Sequence, residues 1–513
     1  MPLLTTSTWY AVGLRVPRGS SRRRNSNAEG RINLQRQAEL CIVLCASAAF
    51  FVLPISASAQ IQRATESLDG LWLTDGYGEL LEVQGDNLRA YEITTLSCIA
   101  AAKTTRRTEA STNHEIVFAG EDGTLRIFPG LSADTRWLHE DGSVSNILIR
   151  RTSSRPEPCD HPPVDTPPAN YQVFWETFSE HYPFFALRQM NWLAVDKKFR
   201  PQVTAETKPE ELFRILSGMI EPLHDAHTSI RAKSIQQRFH GYRPAADPMQ
   251  RKNAARITEI IATKYVREGL RDFCNKQLQF GLLRSSPGTS SSYSLRSPRI
   301  GAIGYLRIHS FDDYSNDREF VKQVEVLETA LDNMFADSSK LTGLVIDVRI
   351  NGGGSDVFGI SIASRLATQE YLAYSKVTRN DIRDADHRTP PQAVMVQVSQ
   401  RPGFRGPVVL LTSADSISAA ETFTMALLGR LPHITRIGAN TQGVFSDVLV
   451  RKLGNGWTFG LPNEIYLTKD GKAFDGPGVP PDVEVPIFLA EDLANGRDSA
   501  LDKALEFLAG KPK

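Results

Sequence analysis

The chain has 513 residues, 41% hydrophobic and 23% charged, with a formal net charge of +1. At roughly 100–200 residues per domain this suggests about three domains of ordinary globular composition. So small a net charge gives no basis for nucleic acid or an acidic surface as partner.

The charge is uneven. Residues 1–59 hold seven Arg and two Glu, and this basic lead runs into an apolar stretch from Cys41 to Ile55. Ala57-Ser58-Ala59 then offers an A-x-A cleavage site before Gln60, the pattern of an export signal. The apolar run is short for a transmembrane helix, so no stable membrane span is expected after cleavage. An uncleaved N-terminal anchor is the alternative. The lead is long for a signal, which suggests a true translation start inside it, and Ser21-Arg22-Arg23 hints at a twin-arginine signal. The expected location is the bacterial periplasm or the exterior. Export permits a disulfide, and of the five Cys the pair expected is Cys98 with Cys159.

Residues 60–153 read as short β segments separated by Asp75-Gly76, Asp122-Gly123 and Asp141-Gly142, a small accessory all-β domain. Residues 154–170 are Pro-rich and form a linker. Residues 171–298 read as a helical subdomain. Phe174, Phe178 and Tyr182, then Leu212, Ile215, Leu216 and Met219, recur at helical spacing, and a further helix is expected from Asn253 to Phe280. Residues 299–490 alternate strand and helix. Leu341 to Val348 and Pro407 to Leu411 are apolar enough for buried parallel strands. A C-terminal helix is expected over 491–513.

Four segments have the residue types for chemistry. Leu410 to Glu421 leaves a buried strand through a polar turn into a helix, where hydrolases often place a nucleophilic Ser and where free N–H groups bind anions. Ser418 stands at the helix opening; Ser413 and Ser416 compete with it, and a plain N-cap is the simpler reading. Ile346 to Gly354 runs a strand into Asn and three Gly, which exposes backbone N–H groups suited to an oxyanion hole, or is merely a tight turn. Leu223 to Thr228 carries His224 and His227, either a proton acceptor at neutral pH or a surface imidazole. Phe474 to Val485 carries Asp475 and Asp482 in a Gly/Pro loop, where one carboxylate could orient an imidazole or serve the turn. No Cys/His cluster has metal-ligand spacing.

In order along the chain stand D-x-H-T (Asp225–Thr228), D-x-R-x-N-x-G-G (Asp347–Gly354), S-A-x-E (Ser418–Glu421) and G-V-x-P-D (Gly478–Asp482). Together they resemble the tricorn and C-terminal-processing-protease family of serine peptidases over about residues 170–490. The resemblance implies an α/β fold with a crotonase/ClpP-like peptidase core. It implies Ser418 as nucleophile, His227 as base and Asp475 as the acid orienting it. Gly352 or Gly353, with Ala419, would form the oxyanion hole. It implies an exported serine peptidase that acts on a peptide or protein substrate through an acyl-enzyme, with no metal or cofactor. The chain departs from the Ser–Lys branch, since Val444 stands where that branch has Lys, and Asp475 stands where the tricorn-like branch often has Glu. No PDZ pattern is evident between His227 and Ile300. Specificity would come from loops such as Ser375 to Gln392 and Gln442 to Asp447. The same fold family includes a retinoid-binding relative, so a non-catalytic carrier of apolar ligands is the alternative.

Overall fold

Strand pairing between Gly70 and Thr152 runs hairpin to hairpin through eight strands, β1 (Gly70–Thr74) to β8 (Ile147–Thr152). The computed structural model describes residues 67–510 apart from 113, 121–122, 245–251, 268, 285–301, 382–383 and 385. The expected export segment, 1–59, therefore lies outside the described residues. Antiparallel pairing of β1 with β8 closes the eight strands into a barrel, which removes the exposed edges an open sheet would have. Alternate residues point inward: Leu81 and Val83 on one strand, Leu125 and Ile127 on another, with Trp72, Phe118 and Ile149. Cys98 and Cys159 are joined by a disulfide that ties the barrel to the Pro-rich segment.

Three helices follow: α1 (Pro167–His181), α2 (Trp192–Phe199) and α3 (Pro209–Ile220). Their apolar faces (Phe174 and Phe178, then Leu212, Ile215, Leu216 and Met219) pack on Phe459 and Leu461 of a four-stranded sheet. That sheet has the order β10 (Gln237–His240), β9 (Ser229–Ala232), β22 (Thr458–Pro462), β21 (Val448–Lys452). It thus joins a strand just after His227 to strands after residue 440.

The expected helix from Asn253 to Phe280 is not formed as such. Helix α4 (Ala254–Ile260) runs into one wide turn ending at Tyr265, and β11 (Arg271–Phe273) and β12 (Leu278–Leu283) occupy the rest. The apolar residues Leu278, Gly281 and Leu283 pair with β13 (Ala302–Ile308), so sheet extension overrides the helical reading.

The central sheet has the order β11-β12-β13-β14-β18-β20-β24. Its later members are β14 (Leu341–Asp347), β18 (Val408–Thr412), β20 (Thr435–Gly438) and β24 (Val483–Glu484), and β13 to β24 run parallel. Leu344, Ile346, Val408 and Leu410 face α5 (Phe320–Phe335), α6 (Asp356–Ser364) and α7 (Ala419–Ala426). Val345, Val409 and Leu411 face α4 and α9 (Ser499–Ala509), with the short α8 (Ala490–Ala494) between. Burial on both faces explains why these strands read as unbroken apolar runs. Ser375 lies within a strand, β16 (Tyr371–Thr378), rather than a loop, and β16 pairs with β17 (Gln392–Val396) and β23 (Glu464–Leu467). Among the described residues no helix is long and apolar enough to cross a membrane.

Candidate active site

Two strand ends build the site. After β14 the chain passes through Arg349, which is fully buried and bridges Asp347 (2.6 and 2.9 Å) and Asp498 (2.8 Å). Asp498 also accepts the Leu501 N–H at the start of α9. The charged pair in the D-x-R motif therefore clamps the strand end. Beyond it, β15 (Ile350–Asn351) pairs in parallel with β19 (Asp415–Ser416). This short zipper, extended by the Ile417 N–H to Asn351 carbonyl bond at 3.2 Å, sets the glycine loop against the Ser418 turn.

The two competing serines have structural work. Ser416 Oγ donates to Val348 O at 2.8 Å and accepts from Ser413 N–H at 3.1 Å. Ser413 Oγ donates to Arg349 O and accepts from Asp415 N–H. Both are buried. Ser418 is only half-buried and opens α7 with φ 58° and ψ −121°. A left-handed φ at a residue with a side chain costs on the order of 1–3 kcal/mol and persists only when surroundings enforce it. Here the Ser418 N–H donates to Val444 O at 3.1 Å and to the Glu421 carboxylate at 3.3 Å. Glu421 also accepts from Gly443 N–H (2.6 Å) and Val444 N–H (2.8 Å). Burial nevertheless outweighs these bonds and pushes its carboxyl up to about 7.

Gly353 lies against the nucleophile candidate. A Cβ placed there would sit 2.7 Å from Ser418 Cβ and 3.2 Å from Ser418 Oγ, and its φ is +90°. Its own N–H is donated to Asn351 Oδ1 at 2.8 Å, so Gly353 is not a free donor. Gly352 and Ala419 have no hydrogen-bond acceptor for their N–H groups among the described residues. The space beside Gly352 is open, with nothing within 4 Å of a Cβ built on it. Of the three expected oxyanion-hole residues, Gly352 and Ala419 are therefore the available donors.

Ala226, Ile417 and Val444 pack together in a small apolar cluster. This contact joins the segments that carry His227 and Ser418, which are 191 residues apart in the chain. Among the described residues no hydrogen bond joins Ser418 Oγ to His227, and the buried His227 Nδ1 has no partner. The His227 backbone N–H donates to Asp225 Oδ1 at 3.0 Å. Asp225 is held in turn by Tyr182 Oη at 2.9 Å and the buried Arg188 at 3.3 Å. Burial lowers the His227 pKa, and the charges of Asp225 and Asp447 oppose that shift only in part. The imidazole is thereby kept neutral and able to accept a proton. His224 is exposed, in a left-handed turn, with its ring edge-on to Tyr242.

The expected Asp475–His227 contact is not made. The Asp475 carboxyl takes the Phe445 N–H, has one buried oxygen without a partner, and is raised well above the usual carboxylate range by burial and by Glu421 and Asp225. Asp482 pairs with Arg436 far out on β20. The carboxylate charges that act on His227 are those of Asp225 first and Asp447 second, and Asp447 is ion-paired at 2.8 Å to the buried Lys376, which also meets Glu464 at 2.9 Å. Sequence reading did not single out Asp447, Arg188 or Lys376. Asp447 carried one signal, as the last residue of the loop that begins at Gln442.

Two family models match this region. Residues 302–485 match peptidase family S41, and residues 163–221 match the tricorn protease C1 domain. A carboxy-terminal-processing protease of Bartonella bacilliformis is 27% identical over 194 residues, which are 37% of this chain and 40% of that protein. Tricorn protease of Thermoplasma acidophilum is 26% identical over 181 residues, 34% of this chain and 15% of that one. The chain thus spans less than half the length of these relatives. A crystal structure of a candidate peptidase from Parabacteroides merdae superposes with a TM-score of 0.52 at 25% identity, covering 68% of this chain and 98% of the other. In these segments the chain is similar to the tricorn and C-terminal-processing-protease family of serine peptidases, as its four motifs implied.

Proposed function

We propose that this protein is a serine peptidase with a crotonase/ClpP-like core, in which Ser418 is the nucleophile and His227 the general base. The observation that carries this reading is the packing of the strained Ser418 against Gly353, beside two N–H groups without acceptors, at Gly352 and Ala419.

His227 takes the Ser418 hydroxyl proton as Oγ attacks the substrate carbonyl carbon. The resulting oxyanion accepts from the Gly352 and Ala419 N–H groups, each such donor being worth about 3–4 kcal/mol in comparable sites. The imidazolium returns the proton to the leaving amine, the peptide bond breaks and an acyl-enzyme remains. Water, deprotonated by His227, releases it. Asp225 fixes the His227 backbone, and Asp447 supplies negative charge that favours the transient imidazolium. Asp475, whose carboxyl burial raises well above the usual carboxylate range, accepts the Phe445 N–H. Export to the periplasm or exterior is part of the proposal, supported by the leader pattern and the disulfide. A non-catalytic carrier finds no support in the peptidase matches.

Labelling with a fluorophosphonate probe tests the assignment. Ser418 is expected to be the modified residue, with labelling abolished in Ser418→Ala and slowed severely in His227→Ala. Full peptidase activity in folded Ser418→Ala would overturn it.

A further inference from the structure

The first turn of the barrel, residues 75–78 between β1 and β2 (Glu79–Gln84), is wedged into the peptidase core. Gly76, at φ +81°, presses on the end of β16: a Cβ built there would lie 1.9 Å from Thr378 Oγ1. The Tyr77 carbonyl accepts from the Arg451 guanidinium on β21, and Tyr77 Oη donates to Glu464 on β23 at 2.5 Å. The turn therefore touches β16, β21 and β23. A second bond staples β21 to the barrel, from the Lys452 N–H to Glu92 at 2.7 Å. With no room for a side chain at Gly76, the turn is held at one depth.

Those three strands supply one charged network. Lys376 of β16 and Glu464 of β23 are each 2% exposed and meet at 2.9 Å. The Lys376 ammonium also meets Asp447, the residue before β21, at 2.8 Å. The Asp447 side chain is 56% exposed, so the buried ammonium is what fixes its carboxylate. Ser446 Oγ closes the corner, accepting the Asn463 and Glu464 N–H groups at 3.0 Å. Tyr466 Oη donates to Asp356 at 3.2 Å and reaches Glu464 at 3.4 Å. Two carboxylates against one ammonium leave the trio one negative charge. A buried charge persists only when paired and hydrogen-bonded, and the Tyr77 hydroxyl is the barrel's contribution to that.

The other end of the network lies near His227. Asp447 follows closely on Val444, which accepts the Ser418 N–H and packs on Ala226. Val448 and His227 flank Gly460: a Cβ built on Gly460 would lie 2.7 Å from Val448 Cγ1 and 3.9 Å from the His227 carbonyl oxygen. The charges of Asp225 and Asp447 favour the imidazolium, and His240 acts against them.

Resting on the reading of Ser418 as nucleophile and His227 as base, we propose that the first barrel turn is part of the peptidase site: Tyr77 is a positioning residue that holds Glu464 and, through Lys376, the Asp447 carboxylate that acts on His227. Without the Tyr77 hydroxyl, Glu464 loses a donor that favours its charged form and takes up a proton more readily. Lys376 then neutralises Asp447 more completely, the imidazolium loses support, and His227 becomes a weaker base.

The test is the pH profile of fluorophosphonate labelling at Ser418, measured on the full chain with Tyr77→Phe, Glu464→Gln, the double variant and Thr94→Val. Thr94 bonds the barrel to Glu176 on α1 at 2.8 Å without touching the network, so its variant loosens the same junction and serves as the control. Tyr77→Phe and Glu464→Gln should each move the acid limb down by about half a pH unit and lower the plateau rate severalfold. The double variant should match Glu464→Gln within about twofold, as residues acting along one path do. Thr94→Val should match the parent. Glu421 and Asp356, each raised to about 7 by burial, titrate in every variant, so the difference between variants is what counts. Unfolding midpoints within a few degrees of the parent's separate repositioning from misfolding, and if Glu464→Gln does not fold, Tyr77→Phe alone decides. A folded Tyr77→Phe that titrates like a parent labelled at Ser418 would overturn the inference and leave the peptidase reading standing; so would a Thr94→Val that shifts the limb equally. A parent that does not label at Ser418 would overturn both.

Discussion

Replacing Gly353 by Ala isolates how closely the glycine loop and Ser418 are fitted. The new methyl carbon would lie 2.7 Å from Ser418 Cβ and 3.1 Å from Ile417 O. Carbon atoms rest at about 3.5–4.0 Å, so one of the two loops must retreat by roughly 1 Å. A misplacement of that size costs on the order of 10²-fold in rate. The backbone adds its own penalty, since φ +90° with a side chain costs roughly 1–2 kcal/mol. Gly353→Ala should therefore cut both the fluorophosphonate labelling rate and kcat/KM by about 100-fold, while lowering the unfolding midpoint by only a few degrees. Gly352→Ala is the matched control. No atom lies within 4 Å of its Cβ, so stability and labelling should stay near the parent's. If Gly353→Ala labels within a few-fold of the parent, the inferred contact between loop and nucleophile is wrong.

Asp475→Asn should leave kcat within about tenfold of the parent, because one Asp475 oxygen and His227 Nδ1 are both buried without partners and so are not bonded to each other; a loss near 10⁴ would restore it as the orienting acid. Arg349→Leu would strand two buried carboxylates and should destabilise by about 3–5 kcal/mol in urea unfolding, the range for breaking a buried ion pair. Glu421 gives a pH dependence of known sign. Its pKa is raised to about 7 in the folded state, so the native protein binds the extra proton between its ordinary value and 7. That contribution is present in mild acid and is lost as pH rises to 7, by roughly 3 kcal/mol at about 1.4 kcal/mol per unit. The unfolding midpoint should fall from pH 5 to pH 7.5, and a midpoint that rises over that range would contradict the Glu421 environment. Removing the disulfide with Cys98→Ser opens a loop of 61 residues and should cost about 4 kcal/mol on the loop-entropy argument, read as earlier unfolding of the barrel.

Local chemistry made much of the site legible in the chain. Apolar strands running into Asn-Gly-Gly-Gly and into Ser-Ala-Ala-Glu have few uses besides presenting backbone N–H groups and a hydroxyl at strand ends. The buried strands of the central sheet were equally plain, because burial on both faces removes the polar alternation. The stretch from Asn253 to Phe280 was not, since short apolar runs suit helix or strand equally, and only pairing with β13 decides. The choice of Ser418 over Ser413 and Ser416 also needed three dimensions: the latter two are occupied by carbonyls of the neighbouring strand end. The charges that surround His227 lay furthest beyond the sequence. Asp475 has the right residue type in a plausible loop, yet burial with Glu421 and Asp225 nearby raises its carboxyl, and it makes no hydrogen bond to the imidazole. Asp447 acts on His227 through its charge, and Lys376, 71 residues earlier in the chain, fixes that carboxylate. Residue type and local pattern thus determined which groups could do chemistry. Which of them meet was decided by the packing of distant segments, because an ion pair or an apolar contact depends on separation in space, which spacing along the chain does not encode.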